Sequence, residues 1–240
     1  MTPLMGLLQT WMPPGLLRAY RRLRGDPRAT QPFTLPTRTL GELFPGAAGT
    51  ALIPLELAAR ADPWAVPAAE LLALAAICQA VQPPRVFEIG TYTGESTRVL
   101  ALNSPPQAIV ETLDLAPDEY ERRVGRTAHF QPGSAFRYTG QADKIRQHLL
   151  AGPAFDFAPF AGACDLVYVD ANHTYAAVQA DSAQAFKLVR PGGVIIWDDY
   201  RWDDAHPECY GVTRALNELA RARPIFQIAG TRFAIFLEHP

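Results

Sequence analysis

The stretch Val86-Phe87-Glu88-Ile89-Gly90-Thr91-Tyr92-Thr93-Gly94-Glu95-Ser96-Thr97 decides the fold. A short apolar run ends in an acid, Glu88. Two glycines follow, Gly90 and Gly94, and Glu95-Ser96-Thr97-Arg98-Val99-Leu100 can open a helix. Strand, glycine turn and helix N-terminus together make a seat for a polar ligand: glycine lets backbone come close, and the first helical N–H groups have no partner within the helix. Glu88 adds an acceptor that would repel a phosphate. The expected ligand is therefore cationic or neutral. A dinucleotide fingerprint would read Gly-x-Gly-x-x-Gly, but Thr91, Tyr92 and Thr93 fill the interval here without a middle glycine. That disfavours an NAD-dependent oxidoreductase.

Outward from this turn the chain alternates apolar runs with helical patterns. Residues 67–81 read as a buried helix, because Leu71, Leu72, Leu74, Ala75, Ile77 and Cys78 leave almost no polar face, and Pro83-Pro84 ends it. Strands are expected near 85–89, 109–113, 127–130, 164–169, 193–198, 225–229 and 232–237. Helices are expected near 95–102, 117–123, 139–150, 174–189 and 211–222. Apolar strands alternating with helices imply a parallel sheet covered on both faces. The last two strands are separated only by Gly230-Thr231, a turn that demands an antiparallel hairpin. In such sheets ligands sit outside the carboxyl ends of the strands. The second strand leads to Asp114, 26 residues after Glu88, where an acid accepts ribose hydroxyls in nucleotide-type sites.

The 88–97 run resembles motif I of class I S-adenosylmethionine (SAM)-dependent methyltransferases, and is very similar to the catechol and caffeoyl-CoA O-methyltransferase branch. The resemblance spans about residues 65–238. It implies an α/β, Rossmann-like class I methyltransferase fold: a seven-stranded, mostly parallel sheet with an antiparallel last strand, plus an N-terminal helical extension. It also implies SAM as cofactor, with Glu88, Gly90, Tyr92, Gly94, Ser96, Asp114, Ser134, Ala135 and Asp170 as the residues holding it. Ser96 matches a serine that touches the methionine moiety. Ser134 and Ala135, in the turn expected after the third strand, match positions bordering the adenine.

The fourth strand delivers Asp170, followed by His173. The fifth follows Pro191-Gly192-Gly193 and delivers Asp198-Asp199. Three carboxylates at adjacent strand ends would repel one another, and a divalent cation resolves this. Oxygen-only ligands suit Mg²⁺. The pattern is similar to metal-dependent sugar and macrolide O-methyltransferases, which implies Asp170, Asp198 and Asp199 as metal ligands. The caffeoyl-CoA branch usually carries Asp-Asn where this chain has Asp198-Asp199. A coordinated hydroxyl loses its proton more readily. His173 can take a hydroxyl proton at neutral pH, so Asp170, His173 and Asp199 are the expected catalytic residues. His206, in the polar and aromatic loop 201–210, is a weaker base candidate, and His129, His148 and His239 show no partner pattern.

The expected activity is SAM-dependent O-methylation of a small hydroxylated acceptor such as a sugar, glycoside or natural product. The alternatives are a metal-free N- or O-methyltransferase with His173 or an aspartate as base, and a non-catalytic SAM-binding protein. With 240 residues, the chain suits one domain with an appendage. Residues 1–60 are expected to form an arm, as a lid or dimer contact, and 61–240 the methyltransferase domain. Within 1–23, apolar residues (Leu4, Met5, Leu7, Leu8, Trp11, Met12, Leu16, Leu17) lead into a basic end. A net charge of −2 argues against nucleic-acid binding. Three scattered cysteines suggest a reducing compartment. With neither a spanning helix nor a secretory pattern expected, the reading is a cytoplasmic enzyme and a possible homodimer.

Overall fold

The structure, a computed structural model, describes residues 14–24, 33–47, 49–58, 64–202 and 206–237. Most of the apolar stretch expected at the N-terminus, part of the 201–210 loop and His239 lie outside the described residues.

The chain builds one eight-stranded sheet. In sequence order the strands are β1 (Thr37–Arg38), β2 (Arg85–Ile89), β3 (Ile109–Leu115), β4 (Ile145–Leu150), β5 (Cys164–Val169), β6 (Val189–Trp197), β7 (Ile225–Ile228) and β8 (Ala234–Leu237). Across the sheet they run β1-β7-β8-β6-β5-β2-β3-β4. Every pairing is parallel except those of β8, which is antiparallel to both β6 and β7. The short turn between β7 and β8 permits nothing else. Six of the seven expected strands are present; the other two strands are β4 and a two-residue β1 contributed by the N-terminal segment.

The helices are α1 (Pro14–Leu23), α2 (Leu40–Leu43), α3 (Leu55–Ala58), α4 (Ala68–Val81), α5 (Glu95–Asn103), α6 (Pro117–Val124), α7 (Tyr175–Leu188) and α8 (Tyr210–Leu219). Among the described residues no helix is long and apolar enough to cross a membrane. On α1, Leu16 and Leu23 are exposed.

Alternation along the central strands sorts the core into two layers. Phe87, Ile89, Val167, Val169, Ile195 and Trp197 face α7 and α8, meeting Val178, Ala185, Leu188, Val212 and Leu216. Val86, Leu166, Tyr168, Val194 and Ile196 face the opposite way, against Leu74, Ile77 and Cys78 of α4 and Leu100 of α5. Both faces being covered explains why these strands read as largely apolar runs. The N-terminal segment is fastened at Tyr200, whose hydroxyl accepts from the backbone N–H groups of Thr34 (3.0 Å) and Leu35 (3.2 Å) and donates to Asn217 (2.6 Å).

Two expected elements are corrected. Residues 127–130 form no strand, and 139–150 no α-helix, only a 3-10 turn at Ala142–Lys144 before a strand. The strand beside β3 is β4, in register from Val110↔Ile145 to Leu115↔Leu150. Its Arg146, Gln147 and His148 suit a helix by composition, but edge pairing with β3 overrides that weak preference. Phe130 instead packs its ring 4.4 Å from that of Tyr92.

On the α5 side of β2, Glu88 is fully buried. Its carboxyl accepts from Ser96 Oγ (2.6 Å), Thr112 Oγ1 (2.6 Å) and Thr97 Oγ1. It thereby ties β2 to the first turn of α5 and to β3, so Glu88, expected to hold the cofactor, is engaged inside the protein. Burial pushes this carboxyl up to about 7, against the lowering effect of the three hydroxyls. At Gly90, φ is +104°, and an added Cβ would stand 1.9 Å from the Asp170 carbonyl oxygen. The close approach expected of this glycine is therefore first an approach to the chain's own backbone.

Gly90→Ala should destabilise the protein by on the order of 3 kcal/mol or more, since the collision is with backbone that cannot rotate away. Gly125→Ala is the control: φ is also positive (+75°) but nothing lies within 4 Å, so the loss should be only about 1–2 kcal/mol. Denaturant unfolding separates the two, and equal losses would contradict the packing argument. Glu88 yields a pH signature. Its folded pKa is raised, so the stability it contributes is full below the unfolded value of about 4.5 and is lost as pH rises through about 7. Between those limits the native protein should lose about 3 kcal/mol that Glu88→Gln does not lose. Unfolding midpoints at pH 5 and pH 8 test this, and parallel pH profiles would refute it.

Candidate active site

The site is built from strand ends. Ile89 pairs with both Leu113 and Val169, and Val169 pairs with Trp197. One residue further on, Asp198, Asp170, Gly90 and Asp114 therefore stand side by side along one edge. Their backbones are stitched together by Asp198 N–H to Val169 O (3.1 Å), Asp170 N–H to Ile89 O (2.9 Å) and Gly90 N–H to Leu113 O (2.8 Å). From β2 the chain steps outward through β3 to β4, then returns to β5 on the other side. The β2–β5 edge is the switch point of the sheet, where a crevice opens.

On the β3 side, Asp114 Oδ2 accepts from the N–H groups of Thr91 (3.1 Å) and Tyr92 (2.6 Å), and Oδ1 from Leu115 N–H (2.7 Å). Burial raises its pKa, and these backbone bonds oppose the rise. Asp114 thus holds the glycine turn, with Tyr92 at a left-handed φ of +47°. Ser96, expected to meet the cofactor, donates its hydroxyl to Glu88. Ser134 and Ala135 do not end a strand: the strand before the corresponding turn is β4, whose end leads into 151–155. They lie in a loop that packs on the glycine turn, through Ala135 N–H to Thr93 O (2.8 Å) and Gly133 N–H to Tyr92 O (3.0 Å).

On the β5–β6 side the three acids converge with His173. Its Nε2 is 3.2 Å from Asp199 Oδ2 and 3.8 Å from Asp170 Oδ1, so Asp199 is the nearer carboxylate. Asp199 adopts a left-handed φ of +59°. His173 stays on the loop before α7, because Gly211 of α8 packs against it: a Cβ there would lie 2.1 Å from the His173 carbonyl oxygen. The same contact brings Cys209 beside the imidazole. Burial alone would lower the His173 pKa, but bonding to Asp170 and Cys209 and the charge of Asp199 push it up to about 11.

Arg232 is the residue that sequence reasoning missed. From the β7–β8 turn it forks Asp198, with Nε 3.0 Å from Oδ1 and Nη2 2.8 Å from Oδ2, and its Nε lies 3.4 Å from Asp199 Oδ1. Burial and the neighbouring Asp170 and Asp199 push the Asp198 carboxyl up, with Arg232 opposing. Acceptance by both oxygens is the geometry of an ionised carboxylate. The only sequence signal was indirect: acids clustered at adjacent strand ends require a cation from somewhere. His148, expected to be incidental, also has a partner, Glu111, at 2.8 Å. His206 pairs with Glu208 (3.2 Å) in the loop.

This arrangement does not fit the all-oxygen Mg²⁺ site expected at Asp170, Asp198 and Asp199. Both Asp198 oxygens face a guanidinium. Among the described residues, the set whose donor atoms lie within 4.8 Å of one another is His173, Asp199 and Cys209. Nitrogen and sulfur make that set too soft for Mg²⁺, and burial raises the thiol pKa of Cys209.

Comparison with known proteins accords with this geometry. Residues 87–200 match a family model described as a methyltransferase domain. A catechol O-methyltransferase from Mycobacterium tuberculosis is 35% identical over 130 residues, covering 52% of either chain. The chain spans about half the length of the curated relatives it matches. A solved cofactor-bound protein from MTB is 29% identical with a TM-score of 0.56, covering 74% of this chain and 83% of that one. The O-methyltransferase TomG from Streptomyces achromogenes, solved with SAM, is 27% identical with a TM-score of 0.55, covering 74% and 82%. The glycine turn at the switch point points the same way, and these matches support a SAM-dependent methyltransferase domain.

Proposed function

We propose that this chain moves the methyl group of SAM to a hydroxyl oxygen of a small acceptor, such as a sugar, glycoside or natural product. One observation carries the reading: the glycine turn and Asp114 lie on one side of the switch point, and Asp170, His173 and Asp199 on the other, so cofactor and acceptor seats share an edge. SAM would lie over Gly90–Gly94, with its ribose toward Asp114. The names of the relatives, a catechol O-methyltransferase and an O-methyltransferase solved with SAM, support oxygen as the methylated atom.

Exposure decides which acid meets the acceptor. The side chains of Asp170 and His173 are 22% and 23% exposed, against 1% for Asp198 and 11% for Asp199. Asp198 is forked by Arg232, and the Asp199 oxygens lie toward Arg232 and His173. Asp170 is therefore the base we infer. It takes the hydroxyl proton as oxygen attacks the methyl carbon, and the electron pair of the breaking C–S bond stays on sulfur, which leaves as a neutral thioether. Asp199 orients His173 beside the acceptor oxygen, and Glu88 keeps the turn in place. The contribution is alignment and a fixed charge environment.

We infer a cytoplasmic setting, which suits three free, buried cysteines, and an acceptor other than nucleic acid, given the net charge of −2. The exposed Leu16 and Leu23 of α1 suit the lid or dimer contact inferred for the arm.

Calorimetry should show SAM and S-adenosylhomocysteine binding. Asp114→Ala should weaken it by about 2–3 kcal/mol, through loss of a charged acceptor. Asp114→Asn, which keeps an oxygen for the turn, should lose less. NAD binding without SAM binding would sink the reading. Asp170→Asn should lower S-adenosylhomocysteine release, across a panel of catechols, sugars and polyketides, by about 10²–10⁴-fold while SAM affinity stays near native. An unchanged rate would remove Asp170 as base.

A further inference from the structure

We propose that Arg232 is a built-in cation standing where a divalent metal would otherwise serve the acids after β5 and β6, so that the native site takes no Mg²⁺-like ion. The consequence for catalysis rests on the methyl-transfer reading; the geometry does not.

Asp198 is buried, and both its oxygens accept from one planar guanidinium at 3.0 and 2.8 Å. Its remaining neighbours leave little room for a metal. Tyr168 Oη stands 3.3 Å from Asp198 Oδ2 and from Asp170 Oδ2, and Asp199 N–H donates to Asp198 Oδ1 at 2.6 Å. A metal would need those same lone pairs at about 2.1 Å. The guanidinium reaches the second acid as well, at 3.4 Å from Asp199 Oδ1, where Arg201 also lies at 3.9 Å.

Arg232 is fixed in this position. Its carbonyl accepts from Tyr200 N–H at 2.8 Å, and the pairing Trp197↔Ala234 holds the hairpin beside the acids. An arginine cannot lose its charge under working conditions, and its fork matches a carboxylate. It neutralises Asp198 and helps hold Asp199 with one oxygen toward His173. In this role Arg232 is a positioning residue.

Mn²⁺, read by electron paramagnetic resonance on chelator-treated full-length chain, tests the proposal. The native chain should hold no stoichiometric Mn²⁺ in the acid cluster. Arg232→Met should bind one Mn²⁺ at least about tenfold more tightly, and adding Asp198→Asn should abolish the gain. Arg232→Lys, which restores a point charge, should behave as native. One Mn²⁺ bound by the native chain and lost in Asp198→Asn would overturn the proposal, and this pair of measurements decides it even if Arg232→Met fails to fold. A folded Arg232→Met that gains no Mn²⁺ would overturn it too. SAM affinity, measured in parallel, reports separately on the methyl-transfer reading: its absence in the native chain would defeat that reading and leave the Mn²⁺ result standing.

Discussion

The contact between Gly90 and the Asp170 backbone is the constraint on which the rest of the site depends. No side chain fits between these two strand ends. The lateral row Asp198–Asp170–Gly90–Asp114 is consequently set by sheet register, not by side-chain choice, and the crevice forms over a line of backbone that cannot spread. Glu88 secures the other side of the same turn. Its three hydroxyl partners come from α5 and β3, so the helix that follows the glycine turn is tied to the strand before it. Hydrogen bonds to a buried carboxyl are worth more than their surface counterparts, because water cannot replace them.

Much of this was legible in the sequence. Strands covered on both faces are largely apolar, so β2, β5 and β6 stand out by their Val, Ile, Leu and Phe, with Glu88 and Asp165 as buried exceptions. Gly90 and Gly94 mark the turn because few other residues tolerate its backbone. The acids Asp114, Asp170, Asp198 and Asp199 follow directly on apolar strands, which makes their convergence a matter of topology alone.

The misread parts have physical reasons. β4 is an edge strand, half in water, and carries Arg146, Gln147 and His148; nothing in its alternation separates it from a helix turned to solvent. That misplacement carried Ser134 and Ala135 with it. β1 is two residues long, too short for any periodicity, and exists because the N-terminal segment is pinned at Tyr200. Arg232 lies 34 residues from Asp198, and only the antiparallel register of β6 and β8 makes them neighbours. A cluster of acids announces a need for positive charge, but its source, ion or side chain, is a three-dimensional fact.

The 201–210 segment is clamped at both ends. Tyr200 is buried at the entrance, Gly211 is wedged against His173 at the exit, and Thr213 Oγ1 donates to the Arg201 carbonyl (2.7 Å), drawing the two ends together. Arg201 and Cys209 within the segment reach Asp199 and His173, so the clamp fixes the side chains that flank the acids as well as the backbone that carries them.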